Sequence, residues 1–299
     1  MAVTCIFGMQ WGDEGKGRIV DLLAARSDVV VRYQGGANAG HTVIVGEEKY
    51  VLHMLPSGVI QPDTVNVIAN GVVIDPWVLM EEVDELESRD IRLEGRLRIS
   101  DRAHVVLPYH RRMDQAMEKL RGKAAIGTTS RGIGPTYGDK SMREGLRTSD
   151  LLRPERFLDR LRANIQARNE ILERAGLEPM DVEADVEDTR QIAERIRPFV
   201  TDTTALLLDA WEGGKRILME GAQGFALDVD HGSYPFVTSS TTGPGGVPAG
   251  TGLPPKAIGE VLGVVKAYTT RVGAGPVSYT HLRAHETQPV ISYAVFCLK

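Results

Sequence analysis

Near its N-terminus the chain reads VTCIFGMQWGDEGKGRIVDLLA (residues 3–24), and this stretch restricts the possible folds more than any other. VTCIFGM is short, apolar and β-branched, the pattern of a buried strand. GRIVDLLAARS places Ile19, Val20, Leu22 and Leu23 on one helical face. Between them lies a turn holding Gly12, Asp13, Glu14, Gly15, Lys16 and Gly17. In a strand–glycine turn–helix unit, the N–H groups and positive dipole end of the helix bind phosphate. The glycines let the backbone approach an anion, and Lys16 adds a point charge.

The turn departs from the Walker A pattern G-x-x-x-x-G-K-[ST], because Gly17 stands where the magnesium-binding hydroxyl belongs. Another oxygen must then hold the metal, and Asp13 is the nearest. Nor is it a good Rossmann fingerprint. GKGRIV supplies only two of the glycines, and the next strand ends in Arg32 and Tyr33 where a ribose-binding acid belongs.

Further along, β-branched runs alternate with amphipathic stretches, which predicts an α/β fold with a mainly parallel central sheet flanked by helices. Strands are expected at DVVVRY (28–33), NVIANGVV (66–73), within RILMEGAQG (216–224) and within EVLGVVKAYTTRVGAG (260–275). Asp75 and Pro76 mark a helix start, and the acidic run Glu81, Glu82, Asp84 and Glu85 reads as its solvated face. Residues 153–209 are dense in charge and helical in period, a helical middle segment. STTGPGGVPAGTGLPP (240–255) is too rich in Gly and Pro for regular structure, and so long a loop is usually functional.

With a net charge of −5, the chain does not look like a non-specific nucleic-acid or anionic-membrane binder. No apolar run is long enough to span a membrane. Met1 leads into the first strand without a basic leader, so a cytoplasmic setting is expected. Two cysteines, Cys5 and Cys297, make neither a disulfide framework nor a metal cluster, and Cys5 reads as a core residue.

Three more loops carry chemistry. YQGGANAGHTV (33–43) follows a strand and sets Asn38 and His41 among glycines. Loops at the carboxyl ends of neighbouring parallel strands converge, so His41 is expected to face the same ligand as Asp13. AIGTTSRGIGPTYGDK (125–140), with Arg143 and Arg147 beyond it, suits a second phosphate. EGAQGFALDVDHGSYPFVTSS (220–240) brings Gln223, whose amide can read a base edge, and Thr238. The residues alone reach a magnesium-dependent phosphoryl-transfer enzyme acting on nucleotides. A GTPase switch would need a Ser or Thr after Lys16. A nicotinamide-dependent oxidoreductase and an inactive nucleotide-binding fragment also stay open.

QWGDEGKG, YQGGANAGHT, GTTSRGIGPTY, EGAQG…DVDHGSYPFVTSS and KAYTTRVGAGP resemble, in order and spacing, the adenylosuccinate synthetase family. The resemblance runs from Ala2 to about Pro276. It implies a fold related to P-loop nucleotide hydrolases, a homodimer, and a GTP-dependent ligase joining IMP and L-aspartate through 6-phosphoryl-IMP, in purine nucleotide (AMP) synthesis with one Mg²⁺ per subunit. It implies Asp13 as general base and metal ligand, Gly40 as a second metal ligand, His41 as general acid, and catalytic roles for Lys16 and Gln223. Gly12, Asp13, Glu14, Gly15, Lys16, Gly17, Arg18, Gly40, His41 and Thr42 would hold GTP. Asp13, Glu14, Gly15, Lys16, Asn38, Ala39, Gly40, His41, Thr129, Gln223 and Thr238 would hold IMP, with Arg143 reaching its phosphate across the dimer. Residues 277–299 do not continue the family pattern and read as a foreign tail, in which His281, His285 and Glu286 only superficially suggest a metal pair. No N/T-K-x-D element for reading guanine occurs. Without that element and the rest of the family sequence, the chain by itself is expected to fold poorly and turn over little.

Overall fold

The computed structural model describes residues 3–45, 48–268, 270, 271, 275 and 295–298. VTCIFG forms β1 (Val3–Gly8), the turn follows, and α1 (Lys16–Ala24) opens at Lys16. Next come β2 (Val29–Arg32), a hairpin of β3 (His41–Val45) and β4 (Glu48–Leu52), β5 (Val65–Ile68), β6 (Val73–Ile74) and α2 (Pro76–Glu87). Then follow β7 (Leu97–Ser100), β8 (His104–Val105), α3 (Pro108–Arg121) and α4 (Ile133–Met142). The helical middle segment is α5 (Pro154–Arg174), α6 (Val182–Ile196) and, after the short β9 (Val200–Thr201), α7 (Thr203–Glu212). The chain returns to the sheet with β10 (Ile217–Glu220), α8 (Gly246–Thr251) and β11 (Ile258–Lys266), and β12 (Val295–Leu298) adds at the edge.

The main sheet runs β12-β11-β1-β10-β2-β5-β7-β9, and every pairing is parallel except β11 with β12. Its central strands are continuous apolar runs because both faces are covered. On one face Cys5, Val29, Val31, Ile217 and Met219 pack with Leu207 of α7 and Val247 of α8. On the other, Ile6, Val30 and Leu218 pack under Val20 and Ala24 of α1. A third cluster joins α2, α3, α5 and α6 to the β7 side. Among the described residues no helix is long and apolar enough to cross a membrane.

Four local expectations change. The buried stripe of α1 is Lys16, Val20 and Ala24, one residue per turn, while Leu22 is 62% exposed. A nine-residue helix lying on two strands covers only that narrow stripe. Glu82 is not solvated: its carboxylate accepts the backbone N–H groups of His53, Met54 and Leu55 at 2.6, 3.1 and 3.0 Å. Those amides follow β4, where no strand pairs with them, so a buried acceptor is required. The 66–73 stretch is broken by a turn after Ile68, closed by Val72 N–H to the Ala69 carbonyl. The Gly/Pro-rich 240–255 segment contains α8, because Gly250 lets the helix pack directly on the Tyr33 carbonyl. His281, His285 and Glu286 lie outside the described residues, as does the Cys297 side chain.

Candidate functional site

Four adjacent strands, β11, β1, β10 and β2, point the same way, so their carboxyl ends deliver four segments to one place. The turn after β1, Gly221–Gln223 after β10, and Arg32 with Ala39–Thr42 after β2 line a cavity of about 360 Å³. Lys266 ends β11 beside it, with its Nζ 3.0 Å from Asp13 Oδ2. Asp13, Gly15, Lys16, Gly17 and Arg18 line the cavity with Gly12, and Gly40, His41 and Thr42 line the facing wall. The convergence expected of Asp13 and His41 is present.

The turn is organised by Glu14, which is placed differently from the expectation that it touches ligand. It is 1% exposed and lies beneath the loop, accepting N–H from Gln10 and Gly12, both at 2.9 Å. Gly8 and Gly224 make room for it, since a Cβ at either position would meet its carboxyl within about 2.5 Å. Glu14 also receives Lys16 Nζ at 3.0 Å, and the Gly12 carbonyl receives it at 3.3 Å. An ammonium has three donors, so one remains for a ligand. Gly12, at φ +97°, packs its backbone against that of Gln223. Gly15 precedes α1 at φ +83° and gives no side-chain cap, which leaves the helix N-terminus open toward the cavity.

Asp13 Oδ2 accepts from Lys266 and from the Thr270 hydroxyl, whereas Oδ1 is buried with no hydrogen-bond partner among the described residues. A partnerless buried carboxylate oxygen is costly unless a ligand completes it. His41 is held at both ring nitrogens, by Ser57 Oγ at 2.8 Å from Nε2 and by Glu220 at 3.4 Å from Nδ1. Glu220 in turn accepts the Ser57 N–H and hydroxyl, both at 2.9 Å. Burial holds the His41 imidazole below its usual pKa, opposed by the Glu220 charge and reinforced by Arg32. Both ring nitrogens are engaged, so the imidazole acts first as a hydrogen-bonding group. Reaching a phosphate through Nε2 requires exchanging the Ser57 contact.

Gln223, at φ +54°, donates its amide to Asn38 Oδ1 at 2.9 Å and leaves its own Oε1 buried without a partner among the described residues. Thr238 likewise has a buried hydroxyl without a partner among the described residues. Ala39 lines the cavity, but Asn38 and Thr238 stand outside its lining. Thr129 is exposed in the loop before α4, and Arg143 is exposed just past the end of α4, so this single chain does not bring them to the cavity. Sequence reading assigned no role to Glu220, Ser57 or Lys266. Glu220 had a signal, a carboxylate ending an apolar strand before glycine; Ser57 had none.

A metal fits the Asp13 carboxylate, with Gly40 across the same cavity. Mg²⁺ typically takes one or two carboxylates and completes its shell with water and substrate phosphates. Among the described residues no group of three or more acidic, His or Cys side chains could hold a metal without such help.

Fold and site together define an open parallel α/β protein with a P-loop-like strand–turn–helix and its cleft at the carboxyl ends of the central strands. The family model described as adenylosuccinate synthetase matches residues 5–290. The chain belongs to the adenylosuccinate synthetase family. It is 55% identical over 277 residues to the adenylosuccinate synthetase of Heliobacterium modesticaldum, covering 92% of this chain and 65% of that protein. Against the Synechococcus elongatus enzyme it is 54% identical, with 92% and 62% covered. The solved fully ligated adenylosuccinate synthetase from Plasmodium falciparum superposes with a TM-score of 0.86 at 40% identity, covering 93% of this chain and 64% of that one. The chain thus spans slightly less than two-thirds of the length of these relatives.

Proposed function

We propose that this chain carries the phosphate, metal and base-activating part of a ligase that converts GTP, IMP and L-aspartate to adenylosuccinate, GDP and phosphate. The observation that carries the reading is Asp13: one carboxylate oxygen fixed by Lys266 and Thr270, the other buried with no partner among the described residues, in a cavity shared with Lys16 and His41. The free oxygen takes the N1 proton of IMP. This makes O6 a nucleophile for the γ-phosphoryl group of GTP, because O6 is a poor leaving group until it is phosphorylated. The aspartate amine then adds at C6 and phosphate departs. The third Lys16 donor and the open start of α1 hold the phosphates and spread their charge. Asp13 and the Gly40 carbonyl would hold Mg²⁺, which supplies charge neutralisation at the phosphates. Gln223, fixed by Asn38, reads the purine edge, and Thr238 offers it a hydroxyl. His41 supports the departing phosphate.

In this reading residues 1–276, about the length over which the relatives align, form the family part and 277–299 a non-family tail, into which the family model's match runs as far as residue 290. The enzyme works in the cytoplasm as a homodimer in which Arg143 and the exposed loop around Thr129 meet the neighbouring subunit's IMP. The test measures phosphate released from GTP by the chain and by a chimera in which residues 1–276 continue into the C-terminal part of the 55% identical relative. Release that requires both IMP and aspartate is expected from the chimera, and little from the chain by itself. Release at the same rate without IMP would instead identify a generic nucleoside triphosphatase.

A further inference from the structure

The segment after α4 is gripped more firmly than an exposed turn requires. Helix α5 presents Arg160, Asn164 and Arg168 at i, i+4 and i+8, one face of the helix. All three reach the Arg143–Arg147 turn. Asn164 donates to the Glu144 carbonyl at 3.3 Å and Arg160 to the Gly145 carbonyl at 3.2 Å. Arg168 pairs with the Glu144 carboxylate at 2.7 Å and with Asp139, inside α4, at 2.9 Å. Asp139 also accepts the Tyr109 hydroxyl, and its backbone carbonyl receives the N–H groups of Glu144 and Gly145.

Meanwhile the cations of the turn are left unneutralised. Arg143, exposed at φ +66°, spends its backbone N–H on the last carbonyls of α4, while its side chain has no hydrogen-bond or ion-pair partner among the described residues, and the Arg147 side chain makes no ion pair there. Lys140 lies near enough to Arg147 that its ammonium is held below its ordinary pKa, by burial first and then by the Arg147 charge. Buried His104 beside them is pushed down to about 4 by burial and by these same cations. Lys140, Arg147 and His104 thus gather like charge that Asp139 only partly offsets, and gathered cations favour an arriving anion. The one acid next to Arg143, Glu144, is drawn off by Arg168.

We propose that Arg160, Asn164 and Arg168 are positioning residues: they fix the 143–147 turn and withhold Glu144, so that Arg143 is presented to the phosphate of a nucleoside monophosphate bound in a second copy of this chain. The proposal rests on the reading of Arg143 given above. It is tested by calorimetric titration of the chimera described above with IMP and separately with GTP, in the parent, Asn164→Ala, Arg143→Ala and the double variant. Asn164→Ala removes a hydrogen bond to the Tyr109 hydroxyl and one to the Glu144 carbonyl; loss of the latter, the one that holds the turn, corresponds to about a fivefold change. Asn164→Ala is expected to weaken IMP about fivefold and leave GTP unchanged, and to add nothing in the Arg143→Ala background, since residues acting as one unit are not additive. Arg160→Met, at a half-exposed site, gives the same pattern if Asn164→Ala folds poorly. An IMP loss that persists fully in the Arg143→Ala background, or that GTP shares, means a general structural role and overturns the proposal. No IMP binding by any version overturns the underlying reading of the site as well. IMP binding that Arg143→Ala leaves intact removes Arg143 alone from its role, and the proposal with it.

Discussion

Asp13→Asn is expected to lower the rate of adenylosuccinate formation about a thousandfold, the middle of the range for removing a positioned general base. The amide keeps the shape and an oxygen for Lys266 and Thr270, which now meet Oδ2. What it loses is a lone pair at the buried, partnerless position now held by Oδ1. Because Lys16, the α1 N-terminus and the His41 wall remain, the KM for GTP should change little. A chemical step lost with substrate binding retained is the signature of a group used in the transition state. The measurement is initial rate against GTP concentration in the chimera described above. A rate within tenfold of the parent would remove Asp13 from proton transfer.

Gly71→Ala is expected to destabilise the fold by about 3 kcal/mol or more, at the upper end for overpacking. A Cβ at position 71 would sit 2.0 Å from the Tyr33 carbonyl oxygen and 2.7 Å from Gly250 Cα, both backbone atoms that cannot rotate aside. Gly71 also donates its N–H to the Gly250 carbonyl at 2.9 Å and accepts the Tyr137 hydroxyl at 2.7 Å. Displacing it shifts the end of β2, which leads into the Asn38–His41 wall of the cavity. Gly138→Ala is the contrast. It lies inside α4 with open space around the added methyl, and Ala there should be neutral or stabilising by up to about 1 kcal/mol. Denaturant midpoints for the two variants check this, and equal midpoints would contradict the packing described.

How much of this was legible in the sequence depended on distance along the chain. The strand, glycine turn and α1 were readable because their signals are local: β-branched residues, glycines, then helical spacing. The Asp75 cap and the Pro76 start of α2 were readable for the same reason. The meeting of Asp13 with His41 followed from the parallel-sheet rule without knowledge of strand order. Glu220 and Lys266 become site residues only because β10 and β11 flank β1, an ordering fixed by contacts more than 200 residues apart in sequence. Glu82 and Glu14 looked like ligand-facing or solvated acids. Whether a carboxylate serves the backbone instead depends on which amides the fold leaves without partners. Leu22 was assigned to the wrong face because periodicity cannot say how wide a stripe the neighbouring strands will cover.

The most direct test of the central claim follows the oxygen. IMP carrying a heavy oxygen isotope at O6 is incubated with GTP, L-aspartate and Mg²⁺ and the active chimera, and the released phosphate is analysed by mass. If O6 attacks the γ-phosphoryl group after Asp13 removes the N1 proton, each phosphate formed with adenylosuccinate carries the label. Unlabelled phosphate would show that GTP is cleaved by water, and would contradict the account.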